Sequence, residues 1–201
     1  MGYLNELSEK YSSLSMEKDK KEILKLFPRK EGKLLLPTQG KISIPRGKTL
    51  VFFNSCNLEA SNDKILEKME QSLSCRVISI TETVNAYQKY HSSQELIDSI
   101  IEEEIIDSLE DGYITVIKDI FSDLLRRAIL LRCFEEYYTR TVSITLDDSD
   151  EFQGSLIHDI IRSINHFNED RKNKLRLGVD ISYIVPCSLI DQIKIISVEE
   201  V

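Results

Sequence analysis

Apolar positions along this chain follow two different spacings. From Lys48 onward, short β-branched or aromatic runs recur at Thr49–Phe53, Arg76–Ile80, Tyr113–Ile117, Thr141–Leu146 and Val179–Val185. Each run has strand length. Between them, apolar residues recur every three or four positions, which predicts helices over Asp63–Leu73, Val84–Tyr90 with Gln94–Leu109, Asp123–Tyr138 and Phe152–Asn168. Strand alternating with helix builds right-handed βαβ units. The predicted class is therefore α/β, a largely parallel five-stranded sheet with helices on both faces.

The first quarter reads differently. Leu4, Leu7, Tyr11 and Leu14, then Ile23, Leu24 and Phe27, keep helical spacing over Asn5–Phe27, with an interruption near Ser12–Ser15 and a stop at Pro28. Lys33–Leu36 and Lys41–Ile44 flank Pro37-Thr38-Gln39-Gly40, a turn sequence that predicts a short β-hairpin. Pro45-Arg46-Gly47 then punctuates entry into the main body, dividing a helical arm with hairpin at 1–47 from an α/β domain at 48–201. Leu189–Val198 fits a short helix or an antiparallel edge strand. Local chemistry supports the helix positions: Ser92-Ser93-Gln94-Glu95 has capping-box form, Asp111-Gly112 ends the same helix, and Ser61-Asn62-Asp63 and Ser122-Asp123 offer further caps.

Composition narrows the classes. The chain has 201 residues, 41% of them apolar and 30% charged, with four cysteines and no tryptophan. A chain of this size can bury roughly 70% of its extended surface, so it needs neither metal nor disulfide to fold. No uncharged apolar run reaches membrane-spanning length, and the first residues resemble neither a signal nor a transit peptide, so a cytoplasmic protein with no membrane association is expected. Cys56, Cys75, Cys133 and Cys187 lie far apart without CxxC or neighbouring His, which predicts reduced thiols and gives no metal motif. No cofactor is implied.

Charge is segregated along the chain. Residues 1–48 are net +5, whereas Gln94–Asp111 carries eight acids and no base, inside a protein of net charge −8. An acidic helix and a basic arm suit docking on one another, within one chain or between two. The arm's lysines are interleaved with acids and the overall balance is acidic, which argues against direct nucleic-acid binding.

Candidate chemistry follows from the fold. Ligands of open parallel sheets bind beyond the strand carboxyl ends, where strand order reverses. That rule selects Asn54, Cys56, Glu82, Lys118, Asp119, Asp147 and Asp148 as candidate ligand-binding residues. Acids on neighbouring strand ends, Asp119 with Asp147 and Asp148, have the chemistry to hold Mg²⁺ and orient a phosphate, although Asp is also common in loops and at helix starts. The turn after the first strand contains no glycine, and no GxGxxG, GxxxxGK[ST] or GxSxG occurs, so a phosphate cradle or nucleophile elbow is not expected. His158 and His166 are eight residues apart on one predicted helix, too far along its axis to share a metal.

Three functional expectations result. The first is a non-catalytic interaction or regulatory protein, associating with itself or a partner through segregated charge, with Glu102, Glu103, Glu104, Asp107 and Glu110 as the partner-binding residues. The second is a Mg²⁺-dependent enzyme or binder of a phosphorylated or nucleotide-like ligand at the strand ends. The third is an acidic nucleic-acid mimic, in which those same carboxylates imitate a phosphate row and block a DNA-binding protein.

Overall fold

A computed structural model describes residues 6–7, 10–11, 20–90, 93–118, 124–135, 137, 139–148 and 156–199. The elements are α1 (Lys20–Leu26), β1 (Lys33–Leu35), β2 (Lys41–Pro45), β3 (Thr49–Asn54), α2 (Glu59–Ser72), β4 (Cys75–Ser79), α3 (Ile80–Gln88), α4 (Gln94–Glu110), β5 (Ile114–Lys118), α5 (Leu124–Glu135), β6 (Arg140–Asp147), α6 (Leu156–His166), α7 (Glu169–Arg176), β7 (Ile181–Pro186) and β8 (Lys194–Val198). Short 3₁₀ segments occupy Thr38–Gly40 and Cys187–Gln192.

Six strands form one parallel sheet in the order β1-β7-β6-β3-β5-β4. The five strands read from the pattern are its core, and the sixth is β1. Alternation along β3 divides the interior into two halves. Leu50 and Phe52 join Ile23, Phe27, the α4 residues Ile97, Ile101 and Ile105, and the α5 residues Ala128–Leu131 on one face. Val51 and Phe53 join Ile65, Leu66 and Met69 of α2, with Ile42, Ile44 and Ile195, on the other. Helices therefore cover both faces, as α/β crossovers require.

The predicted hairpin is corrected. Lys33–Leu35 and Lys41–Pro45 are both strands, but β1 pairs with β7 and β2 pairs with β8, each in parallel. The physical reason lies in Ile42 and Ile44, both fully buried. Paired with β1 they would stand at an edge of the main sheet, whereas beneath β3 they complete its second apolar face. Tyr183 fastens the layer, its hydroxyl donating to Ser43 O at 3.1 Å. The tail is corrected as well. Leu189–Gln192 lies in a 3₁₀ segment, and β8 is a parallel strand that registers Ile195 against Ile42.

Helix ends differ from the pattern in instructive ways. α2 starts at Glu59 behind Leu58, which makes no side-chain cap. Asn62, expected as a cap, lies inside the helix and reaches back to Cys56, accepting from its N–H at 2.9 Å and donating to its C=O at 2.8 Å. Ser93 does cap α4, accepting from Leu96 N–H. The predicted helix over Phe152–Asn168 is α6 alone within the described residues, and Asn168 caps a separate helix, α7, by accepting from Arg171 N–H at 2.8 Å. α7 escaped the pattern because only Leu175 of its eight residues is buried. The Ser122-Asp123 cap lies outside the described residues.

Candidate functional site

β3 is flanked by β5 and β6, and the connections on its two sides cover opposite faces, so the order reverses at its carboxyl end. Among the described residues, the predicted ligand-binding residues do not converge there on one cavity. They divide among separate groups, each held by side chains of the same chain.

Asn54, the last residue of β3, is buried and donates through Nδ2 to Ser143 Oγ at 3.0 Å and Thr145 Oγ1 at 2.7 Å on β6. It fastens two central strands. Asp147, at the end of β6, is also buried and accepts a hydrogen bond from Ser163 Oγ of α6. One turn earlier on α6, Asp159 is buried, with Oδ1 meeting no partner among the described residues. Glu82 and Lys118 are neighbours, but their 3.9 Å ion pair is a surface one, with the Glu82 side chain 78% exposed. Asp119 lies outside the described residues.

Cys56 and Asp148 share a further corner with two residues outside the candidate set. Cys56 Sγ lies 3.3 Å from Cys187 Sγ, and Asp148 Oδ2 accepts from Asn57 N–H at 3.3 Å. Burial, the Cys56 thiol and the Asp148 carboxylate push Cys187 up to about 12, against a contribution from the Ser61 side chain that favours its thiolate. No group of three or more His, Cys, Asp or Glu side chains is placed to hold a metal among the described residues.

A polar group outside the candidate ligand-binding residues lies on the α5 side of the sheet. Arg127 is fully buried, its Cζ 5.7 Å from the Phe52 ring centroid, and Nη2 donates to Leu175 O at 3.1 Å. Ser182 Oγ donates to that same carbonyl, and Ser182 is in register with Ser143. Arg127 Nε and Nη1 meet no acceptor among the described residues, and burial lowers the guanidinium to about 10. A signal was present in β6: Thr141, Ser143, Thr145 and Asp147 alternate with Val142, Ile144 and Leu146. In a central strand covered on both sides, a polar alternate row marks buried hydrogen bonding.

The acidic helix is split by its packing. Glu102 points inward and accepts from the Cys133 thiol at 3.7 Å, and buried Asp98 accepts from Gln94 Nε2 at 2.9 Å and faces Arg126 at 3.4 Å. Glu103, Asp107 and Glu110 are exposed and Glu104 is half-exposed. None of these four forms an ion pair among the described residues.

Among the described residues, open clefts occur at the strand amino ends. One of about 480 Å³ is lined by Lys30, Lys33, Arg140, Thr141, Asp180 and Ile181 among others, and another of about 350 Å³ lies between Arg46, Gly47, Ser74 and Gly112. In the first, Lys30 Nζ lies 3.1 Å from Asp180, which also accepts from Thr141 N–H and Oγ1, so Lys33 and Arg140 provide its remaining positive charge. A third cleft, of about 440 Å³, separates Leu7, Lys10 and Tyr11 from Ile129 and Arg132 of α5.

Comparison of the sequence with protein-family models and with curated proteins finds no match. No helix among the described residues is long and apolar enough to cross a membrane.

Proposed function

We propose that this chain is a non-catalytic interaction protein that associates with a second copy of itself, seating the exposed carboxylates of α4 against the basic cleft at the strand amino ends. The observation that carries this reading is the pairing of opposite surfaces: Glu103, Asp107 and Glu110 stand exposed without an ion pair among the described residues, while Lys33 and Arg140 line a cleft of about 480 Å³. Complementary surfaces of this kind steer association and are weakened by salt. Supporting it, Asp147 and the Nδ2 of Asn54 are already engaged in the chain's own hydrogen bonds, while Asn54 Oδ1 is buried without a partner among the described residues. With Glu102 turned inward, the row available to imitate phosphates is shorter than the sequence suggests.

Sedimentation velocity at low and high salt tests the reading. Association should weaken steeply with salt, fall when Glu103, Asp107 and Glu110 are replaced by Gln, Asn and Gln, and survive Asp147→Asn. A charge-swap separates self-association from capture of a foreign partner: Lys33→Glu with Arg140→Glu in one sample should recover association only when mixed with Glu103→Lys and Asp107→Lys in another. A monomer at every salt concentration would overturn it. Displacement of DNA from a basic protein would instead favour the mimic.

One observation keeps the ligand reading as an alternative: the Arg127 donors that meet no acceptor among the described residues lie beside the carboxyl half of β3. A phosphorylated or nucleotide-like ligand bound there at 100 times its dissociation constant would stabilise the fold by about 2.7 kcal/mol in a thermal-shift screen with and without Mg²⁺.

A further inference from the structure

We propose that Cys56 and Cys187 are a modification site, a thiol pair built to form a reversible intramolecular disulfide that ties the loop after β3 to the segment after β7. The two sulfurs already lie 3.3 Å apart, so an approach of about 1.3 Å brings them to bonding distance. Their supports are fixed independently of that bond. Asn62 grips both the N–H and the C=O of Cys56 at 2.9 and 2.8 Å. Cys187 opens the 3₁₀ segment Cys187–Gln192, which α2 clamps through Lys68, whose Nζ donates to Ile190 O at 2.7 Å, Asp191 O at 3.1 Å and Ile193 O at 2.9 Å. Cys56 therefore sits just ahead of α2, and Cys187 on a segment pinned to that helix. Closing the bond requires side-chain rotation rather than movement of one element past another.

The pair stands apart from the other two cysteines. Cys133 is buried and donates to Glu102, and Cys75 is raised to about 11 by burial and by Glu70. Neither has a second sulfur as hydrogen-bond partner among the described residues. Both thiols of the pair are half-buried, so either sulfur serves as the attacking one and its neighbour, already in contact, as the resolving one.

The reaction is thiol–disulfide exchange with a low-molecular-weight disulfide such as glutathione disulfide. The thiolate of one cysteine of the pair attacks one sulfur of glutathione disulfide, a mixed disulfide with glutathione forms, and one glutathione thiolate leaves. The other cysteine gives its proton to solvent and attacks the first cysteine's sulfur, and the second glutathione leaves. Two protein thiols are oxidised while one glutathione disulfide is reduced to two glutathiones.

The test equilibrates the full chain in buffers of graded glutathione disulfide to glutathione ratio, then alkylates it and reads the cross-link by peptide mass spectrometry. The expected result is loss of two thiols, with Cys56 and Cys187 peptides joined, and reversal by dithiothreitol. Each single variant, Cys187→Ser or Cys56→Ser, should accumulate glutathione on the remaining cysteine of the pair and form no cross-link. Because the bond closes a loop of well over 100 residues, the oxidised chain should melt roughly 5–10 °C above the reduced one. Three outcomes would overturn the proposal: four free thiols at every ratio, glutathione on wild-type Cys56 without a cross-link, or a disulfide that involves Cys75 or Cys133. The wild-type readout stands even where a serine variant fails to fold.

Discussion

The two ends of the parallel sheet are finished differently. At the carboxyl ends, Asn54 is bonded to Ser143 and Thr145, Asp147 to Ser163, Cys56 to Asn62, and the segment after β7 to Lys68. At the amino ends the chain enters through tight turns, with left-handed glycines at Gly47, Gly112 and Gly178 before β3, β5 and β7. Such turns take little space and leave clefts beside them. Among the described residues, several side chains at the end where α/β sheets ordinarily bind ligands are thus engaged in the chain's own hydrogen bonds, while the opposite end carries open clefts with basic lining. Fold alone does not place function, since it depends on which side chains return to the strand ends.

Mutations should separate the two ends by size of effect. Lys68→Met should cost most, about 2–4 kcal/mol in urea unfolding, because three carbonyls lose a charged donor at once. A loss below about 1 kcal/mol would mean that this segment is held by its apolar contacts alone. Next, Asn54→Ala should cost about 1–3 kcal/mol in the same measurement, as should Asp147→Asn, with strand order retained.

Arg127→Met should be close to neutral or stabilising by about 1 kcal/mol. Among the described residues the buried guanidinium has one hydrogen-bond acceptor, Leu175 O, and it loses hydration on the rest of its surface. A severe loss would show that an anion or ordered water completes its hydrogen bonding.

Alkaline titration sharpens the view of the thiol corner. Cys187 is raised from its ordinary value of 9.0 to about 12. The folded state therefore keeps a proton that the unfolded chain releases. Its stabilising contribution is present below about pH 9 and is lost between about 9 and 12. Reduced Cys187→Ala should flatten that part of the stability–pH curve, with Cys75 contributing a similar slope up to about 11. The smallest effect belongs to the open end. Lys30→Gln removes a partly exposed ion pair and should shift stability by no more than about 0.5 kcal/mol, within reach of paired urea melts.

Much of the architecture was legible because burial imposes its own period on the residues. All five apolar runs are strands, and the third is extended from Ile114 to Lys118 rather than continuing as helix. The acidic helix begins at its Ser93 cap and ends at Asp111 before Gly112, as local capping chemistry requires. These features depend on near neighbours in sequence. Partners depend on distant ones, and there the pattern failed. Pro37–Gly40 looks like a hairpin turn, but it joins strands that pair with Ile181–Tyr183 and Lys194–Val198, because Ile42 and Ile44 needed an apolar layer that lies far along the chain.

Chemistry divides along the same line. Residue types and spacing determined that no glycine-rich phosphate cradle follows β3 and that acid is concentrated on α4. Only packing decided that Glu102 turns inward while Glu103 faces solvent, that Arg127 is enclosed over Phe52, and that Cys56 meets Cys187 across 131 residues of sequence. The reason is physical: periodicity records whether a side chain is buried, whereas identity of the neighbour is set by which strands pair and which helix lies above them.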